Sequence, residues 1–390
     1  MRVALVHDWL TGWRGGEKCL QAFLQIYPEA DIYTLLHLPG TTTAQIDARV
    51  KGCSVLQRLP FAKRHYRAFL PLYPWAARSL KLEGYDLVVS LSHAAAKNVR
   101  VPAGSAHISY CFTPMRYIWD QAPQYFGAGL SLAWPLVKAL RIWDRAGSGG
   151  VGEFVAISRF VGARIRCFYG RKATVIYPPV DTSWIKSAQP GKEGEAFLYA
   201  GALVPYKRVD LVVEAFNRIG APLWIVGQGP LYKQLRKSAR QNIVFQGYVA
   251  DADLSEAYRR CRALVFPVTE DFGMVPVECM AAGRPVIALD HGGARETVKG
   301  LRFWENGRST RDLLAVGEAS GVFIQNRGGG GQLEALMSAI SCFIKNEGSF
   351  SREVCARQAA LFAPQRFLSE WRSLTGRLGL APESCGVSKA

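Results

Sequence analysis

Nowhere in the 390 residues do two cysteines form a C-x-x-C pair. The nine cysteines, at positions 19, 53, 111, 167, 261, 279, 342, 355 and 385, are scattered and odd in number. That spacing argues for reduced thiols and against both a disulfide framework and a zinc site. A clean run of about 18 apolar residues is also missing, so no spanning helix is expected. The nearest approach, YFGAGLSLAWPLVKALRIW, is interrupted by Pro135 and Lys138. The opening MRVALVHDWL is too short and too polar for a secretory signal. A soluble, cytosolic chain is the expectation.

Acid is scarce in the first half. Residues 1–180 hold 22 Lys and Arg against 10 Asp and Glu, and the remainder holds 26 against 21, within a formal net charge of +17. The stretch LQRLPFAKRHYRAFLPLYPWAARSLK has six basic residues, no acid, and the aromatics Phe61, Tyr66, Phe69, Tyr73 and Trp75. Basic residues interleaved with aromatics suit an anionic lipid surface, and equally a solvated face over ordinary core aromatics. No nucleic-acid-binding module accompanies the charge, so nucleic acid is not expected as a partner. Pro60, Pro71 and Pro74 cut the stretch into short helical pieces.

What is present is a globular composition, 49% apolar and 20% charged, on a chain long enough for two or three domains. RVALVHDW reads as a buried strand, LTGWRGGEKC as a loop, and CLQAFLQIY as a helix. DLVVSLSH, AHISYCF and GEFVAISR are further apolar strands, and ATVIYPPVDTSWI closes the series. KSAQPGKEGEA then reads as a linker, after which strands and helices alternate again from AFLYAGA to RPVIALD. NRGGGGQ reads as a flexible loop, and two helices finish the chain. Strands alternating with helices of about 10 residues imply parallel sheets with right-handed crossovers. The expected fold is therefore α/β, with two Rossmann-like domains facing across a cleft. The boundaries are 1–180, 181–365, and a C-terminal helix and tail, 366–390, returning to the first domain.

One stretch carries chemistry. TEDFGMVPVECMAAGRPVIALDHGG places Glu270 and Glu278 eight positions apart. RALVFPV reads as a strand and PVECMAAG as a helix, with Gly273 and Met274 in the connecting loop and Glu278 in the helix's first turn. In an open parallel sheet, ligands bind beyond the carboxyl ends of the strands, where helix N-termini offer free N–H groups to a phosphate. Glu278 would accept two hydrogen bonds from a ribose diol. Glu270, at the strand exit, would hold sugar hydroxyls and oppose developing positive charge. An isolated E-x7-E would not carry this reading, because a loop charge and a dipole-favoured helix acid account for it equally well.

The surrounding motifs do carry it. SHAAAKNV, VAISRFV followed by IYPPVD, YAGALVPYKRVDLVVEAF, VGQGP and EDFGMVPVECMAAGRPVIALDHGGARETV stand in this order along nearly the whole chain. Together they closely resemble the retaining GT-B glycosyltransferases of family 4. TPMRYIWD is similar to the subgroup containing bacterial mannosyltransferases of O-antigen and exopolysaccharide assembly. The resemblance implies that Glu278 binds the donor ribose and that Glu270 lies against the transferred hexose. The backbone amides of Phe272, Gly273, Met274 and Val275 would hold sugar hydroxyls and the distal phosphate. Lys207 would neutralise the diphosphate, Gly15 and Gly16 would approach the same phosphates, and His93 would reach the hexose. No metal and no bound cofactor are implied, since Lys207, Arg208 and the helix N-terminus carry the diphosphate charge.

Two positions depart from the family pattern. Ala202 stands where a second cation is frequent, with Arg208 as its candidate substitute, and Phe112 stands where His-Thr-Pro is common. The resemblance implies a nucleotide-sugar donor, with mannose from GDP-mannose preferred. It also implies a glycan or polyprenyl-linked acceptor, and a cytoplasmic enzyme peripheral at the inner face of the membrane. Two alternatives stay open. One is another GT-B enzyme using a UDP-sugar, whether a glucosyltransferase or an epimerase, and the other is a non-catalytic partner subunit.

Overall fold

A computed structural model describes residues 1–188, 194–304 and 317–380. The chain divides into two compact units, Met1–Pro179 with Pro364–Ala390, and Val180–Ala363. The described residues of each unit build one seven-stranded parallel sheet.

The first sheet contains β1 (Val3–Leu10), β2 (Asp31–His37), β3 (Val50–Cys53), β4 (Leu87–Ser92), β5 (Ala106–Cys111), β6 (Glu153–Ala156) and β7 (Thr174–Val175), in the order β3-β2-β1-β4-β5-β6-β7. All eight residues of β1 are buried, as expected of a central strand covered on both faces. The helix Gly15–Ile26 begins four residues before the apolar run CLQAFLQIY. Residues 15–18 are therefore helix rather than the loop that LTGWRGGEKC suggests, because the Glu17 carboxylate accepts the Arg14 N–H at 3.1 Å and caps the first turn. The helix Leu130–Gly147 runs through Pro135, which does not break it. The basic–aromatic stretch folds as the short pieces Val55–Arg58, Ala62–His65, Tyr66–Leu72 and Tyr73–Arg78, with Tyr73 and Leu70 buried beneath. The helix Pro364–Arg377 belongs to this unit. Its Trp371 meets Phe23 edge-on at 4.5 Å and donates to the Tyr27 hydroxyl at 3.0 Å.

The second sheet contains β8 (Ala196–Ala200), β9 (Leu223–Val226), β10 (Ile243–Gly247), β11 (Cys261–Phe266), β12 (Val286–Leu289), β13 (Gly300–Leu301) and β14 (Gly321–Ile324), in the order β10-β9-β8-β11-β12-β14-β13. The turns after β8 and β9 cross backbone to backbone. Gly201 N–H donates to Val226 at 3.0 Å, and Leu203 N–H donates to Gln228 at 2.9 Å. A Cβ on Gly227, whose φ is +132°, would lie 1.9 Å from the Gly201 carbonyl oxygen. The glycines of VGQGP therefore serve this crossing.

Strand order reverses at the β1/β4 pair in the first sheet and at the β8/β11 pair in the second. Those are the positions where an open parallel sheet admits a ligand at its carboxyl edge. The candidate residues follow these strands. Gly15 and Gly16 come after β1, His93 after β4, Lys207 and Arg208 after β8, and Glu270 after β11.

Candidate active site

In the second unit the chain leaves β11 and turns at Gly273, whose φ of +90° favours glycine, into the helix Met274–Ala281. The helix starts two residues earlier than the Pro276 start read from PVECMAAG. Met274 is thus helical rather than part of the loop, and Glu278 stands in the second turn instead of the first. The N–H groups of Met274 and Val275 fall in the first turn, where no intrahelical carbonyl reaches them, and Pro276 next to them has no N–H to satisfy.

The loop carrying Glu270 is pinned from β12. Gly293 N–H donates to the Glu270 carbonyl at 2.8 Å, and Cβ atoms on Gly292 or Gly293 would lie 2.5 Å and 2.4 Å from the backbone of Glu270 and Phe272. The buried Phe272 ring packs edge-on against Phe362, with centroids 5.3 Å apart. Phe272 therefore anchors the loop through its side chain.

Lys207 and Glu270, 63 residues apart, meet directly: the ammonium donates to the carboxylate, and both side chains are about one-fifth exposed. Arg208 does not join them. It adopts a left-handed backbone at φ +55° and turns its guanidinium toward Asp210, 3.5 Å away in the first turn of the following helix. The Ala202 carbonyl accepts the Tyr199 hydroxyl at 3.2 Å.

Glu278 is buried, and its Oε2 accepts the Tyr258 hydroxyl at 3.0 Å. Burial, with Glu278 beside it, pushes the Tyr258 phenol well above its ordinary value, so Tyr258 is a fixed donor. A carboxylate oriented by a neutral phenol keeps acceptor capacity for a vicinal diol. Tyr258, in the helix Asp251–Arg260, was not a candidate from the sequence.

In the first unit Asp8, fully buried at the end of β1, organises the turn after β4. Its carboxylate accepts the backbone N–H of His93 at 2.6 Å, Ala94 at 2.9 Å, Ala95 at 2.6 Å and Ala96 at 2.7 Å. The same carboxylate lies 3.1 Å from His93 Nδ1. Trp9 meets His93 edge-on with centroids 4.4 Å apart. The His93 ring is thus fixed on two sides. Burial holds it below the ordinary histidine value, Asp8 opposes that shift, and Arg67, Arg116 and Arg14 add to it. Asp8 was also missed; its only signal is one acid, next to His7, inside a mostly apolar strand.

Gly16 faces His7 and Phe112: a Cβ there would lie 3.1 Å from His7 Nε2 and 3.6 Å from the Phe112 ring. The glycine therefore has a packing reason alongside the one proposed for phosphate approach. Phe112 stands 6.3 Å from both the His7 and His93 rings and belongs to the same cluster. SHAAAKNV is anchored at its other end by a buried ion pair between Lys97 and Asp144. Asn98 at 3.0 Å, Trp119 at 2.8 Å and Tyr169 at 2.9 Å also donate to that carboxylate. Among the described residues, no group of three or more His, Cys, Asp or Glu is arranged to hold a metal ion.

Two parallel sheets in two units, with candidate residues at each carboxyl edge, define a two-domain α/β protein of GT-B type. The family described as Glycosyltransferase Family 4 matches residues 13–184, and that described as Glycosyl transferases group 1 matches residues 194–318. The chain belongs to the family-4-like glycosyltransferases. It is 36% identical over 103 residues to O-antigen chain mannosyltransferase C of Escherichia coli, covering 25% of this chain and 28% of that one. It is 29% identical over 201 residues to a GDP-mannose-dependent alpha-(1-6)-phosphatidylinositol monomannoside mannosyltransferase of Mycobacterium tuberculosis, covering 44% and 52%. The chain thus spans about half or less of these curated relatives. A crystal structure of Anabaena HepE in complex with UDP superposes with a TM-score of 0.67 at 16% identity, covering 97% of this chain and 100% of that one.

Proposed function

We propose that the protein is a retaining hexosyltransferase that moves mannose from GDP-mannose to a glycan or polyprenyl-linked acceptor in bacterial surface polysaccharide assembly. The observation that carries this reading is the Lys207–Glu270 contact beside the helix Met274–Ala281, with Glu278 held by Tyr258 in that helix. On this reading Glu278 binds the ribose. The N–H groups from Gly273 to Val275 and Lys207 take the diphosphate, and Glu270 faces the hexose. An arriving diphosphate competes with Glu270 for the Lys207 ammonium and frees the carboxylate to oppose oxocarbenium charge as the sugar–phosphate bond breaks. Lys207 then stabilises the departing nucleoside diphosphate, and the acceptor hydroxyl attacks from the same face and passes its proton to the departing phosphate oxygen. The first unit takes the acceptor, with His93 as its polar contact to the hexose. The mannose preference is supported by the two mannosyltransferase relatives, which are named for O-antigen chains and for a phosphatidylinositol mannoside. A second reading, a UDP-sugar donor, is favoured by the likeness to HepE, solved with UDP.

No described helix is long and apolar enough to cross a membrane. Peripheral docking is supported by the basic first unit and by Phe61 and Trp75, exposed at 78% and 54% within the basic–aromatic stretch. About 1 kcal/mol per basic residue near an anionic surface suffices for reversible binding.

The test is incubation of the purified protein with radiolabelled GDP-mannose and bacterial membranes, followed by analysis of the lipid-extractable sugar and its anomeric configuration. Transfer with an α-configured product supports the proposal. A rearranged sugar nucleotide formed without acceptor would identify an epimerase instead, and absence of both products would favour the partner-subunit reading.

A further inference from the structure

A cavity of about 360 Å³ opens on the first unit, lined by Arg14, Arg64, His65, Tyr66, Arg67 and Ala68. Three guanidiniums and an imidazole share it without an acid in the lining. Among the described residues, Arg14, Arg64 and Arg67 take part in no ion pair. Glu17, which lies in electrostatic reach of Arg14, is buried, and burial raises its carboxyl above the ordinary range. Like charges gathered in one cavity repel until an anion enters, and planar guanidiniums are suited to several phosphate oxygens at once.

The cavity is tied to the His93 cluster by a chain of ring contacts. The Arg67 guanidinium lies 5.6 Å from the centre of the Tyr66 ring, Tyr66 packs on Trp9 at 4.8 Å, and Trp9 meets His93 at 4.4 Å. Arg14 immediately precedes Gly15 and Gly16. Phe61 stands at the head of the short helix Ala62–His65, which supplies Arg64 and His65 to the lining. Its left-handed backbone, φ +61°, holds a ring 78% exposed. An aromatic side chain kept in solvent beside a cationic cavity suits a hydrocarbon chain next to its phosphate.

We propose that this cavity binds the phosphate or diphosphate group through which the acceptor is linked to its carrier. The assignment rests on the reading above, in which the first unit takes the acceptor. It places the anion on the first unit, whereas Lys207 and Glu278 belong to the second.

The experiment is calorimetric titration of the whole protein with inorganic pyrophosphate and, separately, with farnesyl diphosphate. The variants are Arg64→Ala/Arg67→Ala, Arg64→Lys/Arg67→Lys and Lys207→Ala. Arg64 and Arg67 are exposed, so their replacement leaves the core intact. Pyrophosphate binding at the cavity is expected to weaken ~10–100-fold in the double alanine variant and less in the double lysine variant, while Lys207→Ala removes only a separate donor-site component. Tighter binding of farnesyl diphosphate that also depends on Arg64 and Arg67 identifies a lipid-linked group; equal binding identifies a soluble phosphorylated acceptor. No pyrophosphate binding, full binding in the double alanine variant, or a loss confined to Lys207→Ala would overturn the assignment. A parallel GDP-mannose titration separates the two claims. If GDP-mannose binds and the cavity does not respond, only the cavity assignment falls. If the cavity binds pyrophosphate while no nucleotide-sugar binds, the donor reading falls and the anion site stands.

Discussion

Asp8 holds His93 twice across 85 residues of sequence: its Oδ2 accepts the His93 backbone N–H at 2.6 Å and lies 3.1 Å from the ring Nδ1. With the N–H groups of Ala94, Ala95 and Ala96 on the same carboxylate, a fully buried side chain sets the turn that presents the histidine. Asp8→Ala leaves several buried donors without an acceptor and is expected to cost about 3–5 kcal/mol. Urea unfolding of wild type and variant measures this. A change below about 1 kcal/mol would mean that the turn satisfies its amides in another way.

Stability is expected to fall with acid through the buried histidines. Burial lowers His7 and His107 from 6.5 to about 4 and lowers His93 in the same direction. Each imidazole binds a proton more readily in the unfolded chain, so stability is complete above about pH 6.5 and is lost as pH falls toward about 4. The loss is on the order of 3 kcal/mol for each of His7 and His107. His107 bonds Ser90 at 2.9 Å and Gly150 at 3.3 Å. His107→Gln should therefore flatten the dependence of the unfolding midpoint on pH in this window, whatever its effect at neutral pH. An unchanged slope would contradict the assignment.

Tyr258→Phe removes one hydroxyl and keeps the ring. Glu278 then loses its 3.0 Å donor, and its carboxylate is less firmly oriented. Donor affinity should drop ~5–20-fold, in line with a hydrogen bond to a charged group. Titration with the preferred nucleotide-sugar checks it. Equal affinity would show that Glu278 is positioned by the helix alone.

Two glycines should respond very differently to alanine. At Gly227 the new methyl would lie 1.9 Å from the Gly201 oxygen at φ +132°, so Gly227→Ala should cost roughly 3 kcal/mol or more. At Gly16 it would lie 3.1 Å from the His7 side chain at an unstrained φ, and a shift of a few tenths of an ångström relieves it. Gly16→Ala should therefore cost under about 1 kcal/mol. Thermal unfolding of the pair ranks them, and the reverse order would refute the packing account.

The alternation of strands and helices was readable because buried parallel strands such as VALVHDWL and LVVSLS are dominated by apolar residues, with two polar positions each. DIYTLLH escaped although six of its seven residues are buried, since polar Asp31, Thr34 and His37 punctuate it. Helix starts were harder. The true starts at Gly15 and Met274 depend on the Glu17 cap and on a left-handed Gly273, neither of which apolar periodicity registers. Glu270, Glu278, Lys207 and His93 could be named from ordered motifs. Asp8 and Tyr258 could not, because their partners lie 85 and 20 residues away and only the folded sheet edge brings them together.

The most direct test of the account is calorimetric titration of the protein and its Glu278→Ala variant with GDP-mannose, UDP-glucose, UDP-N-acetylglucosamine and dTDP-rhamnose. Selective binding of one donor, GDP-mannose by this reading, that is lost in the variant is the predicted result. Binding of no donor, or binding that survives Glu278→Ala unchanged, would contradict it.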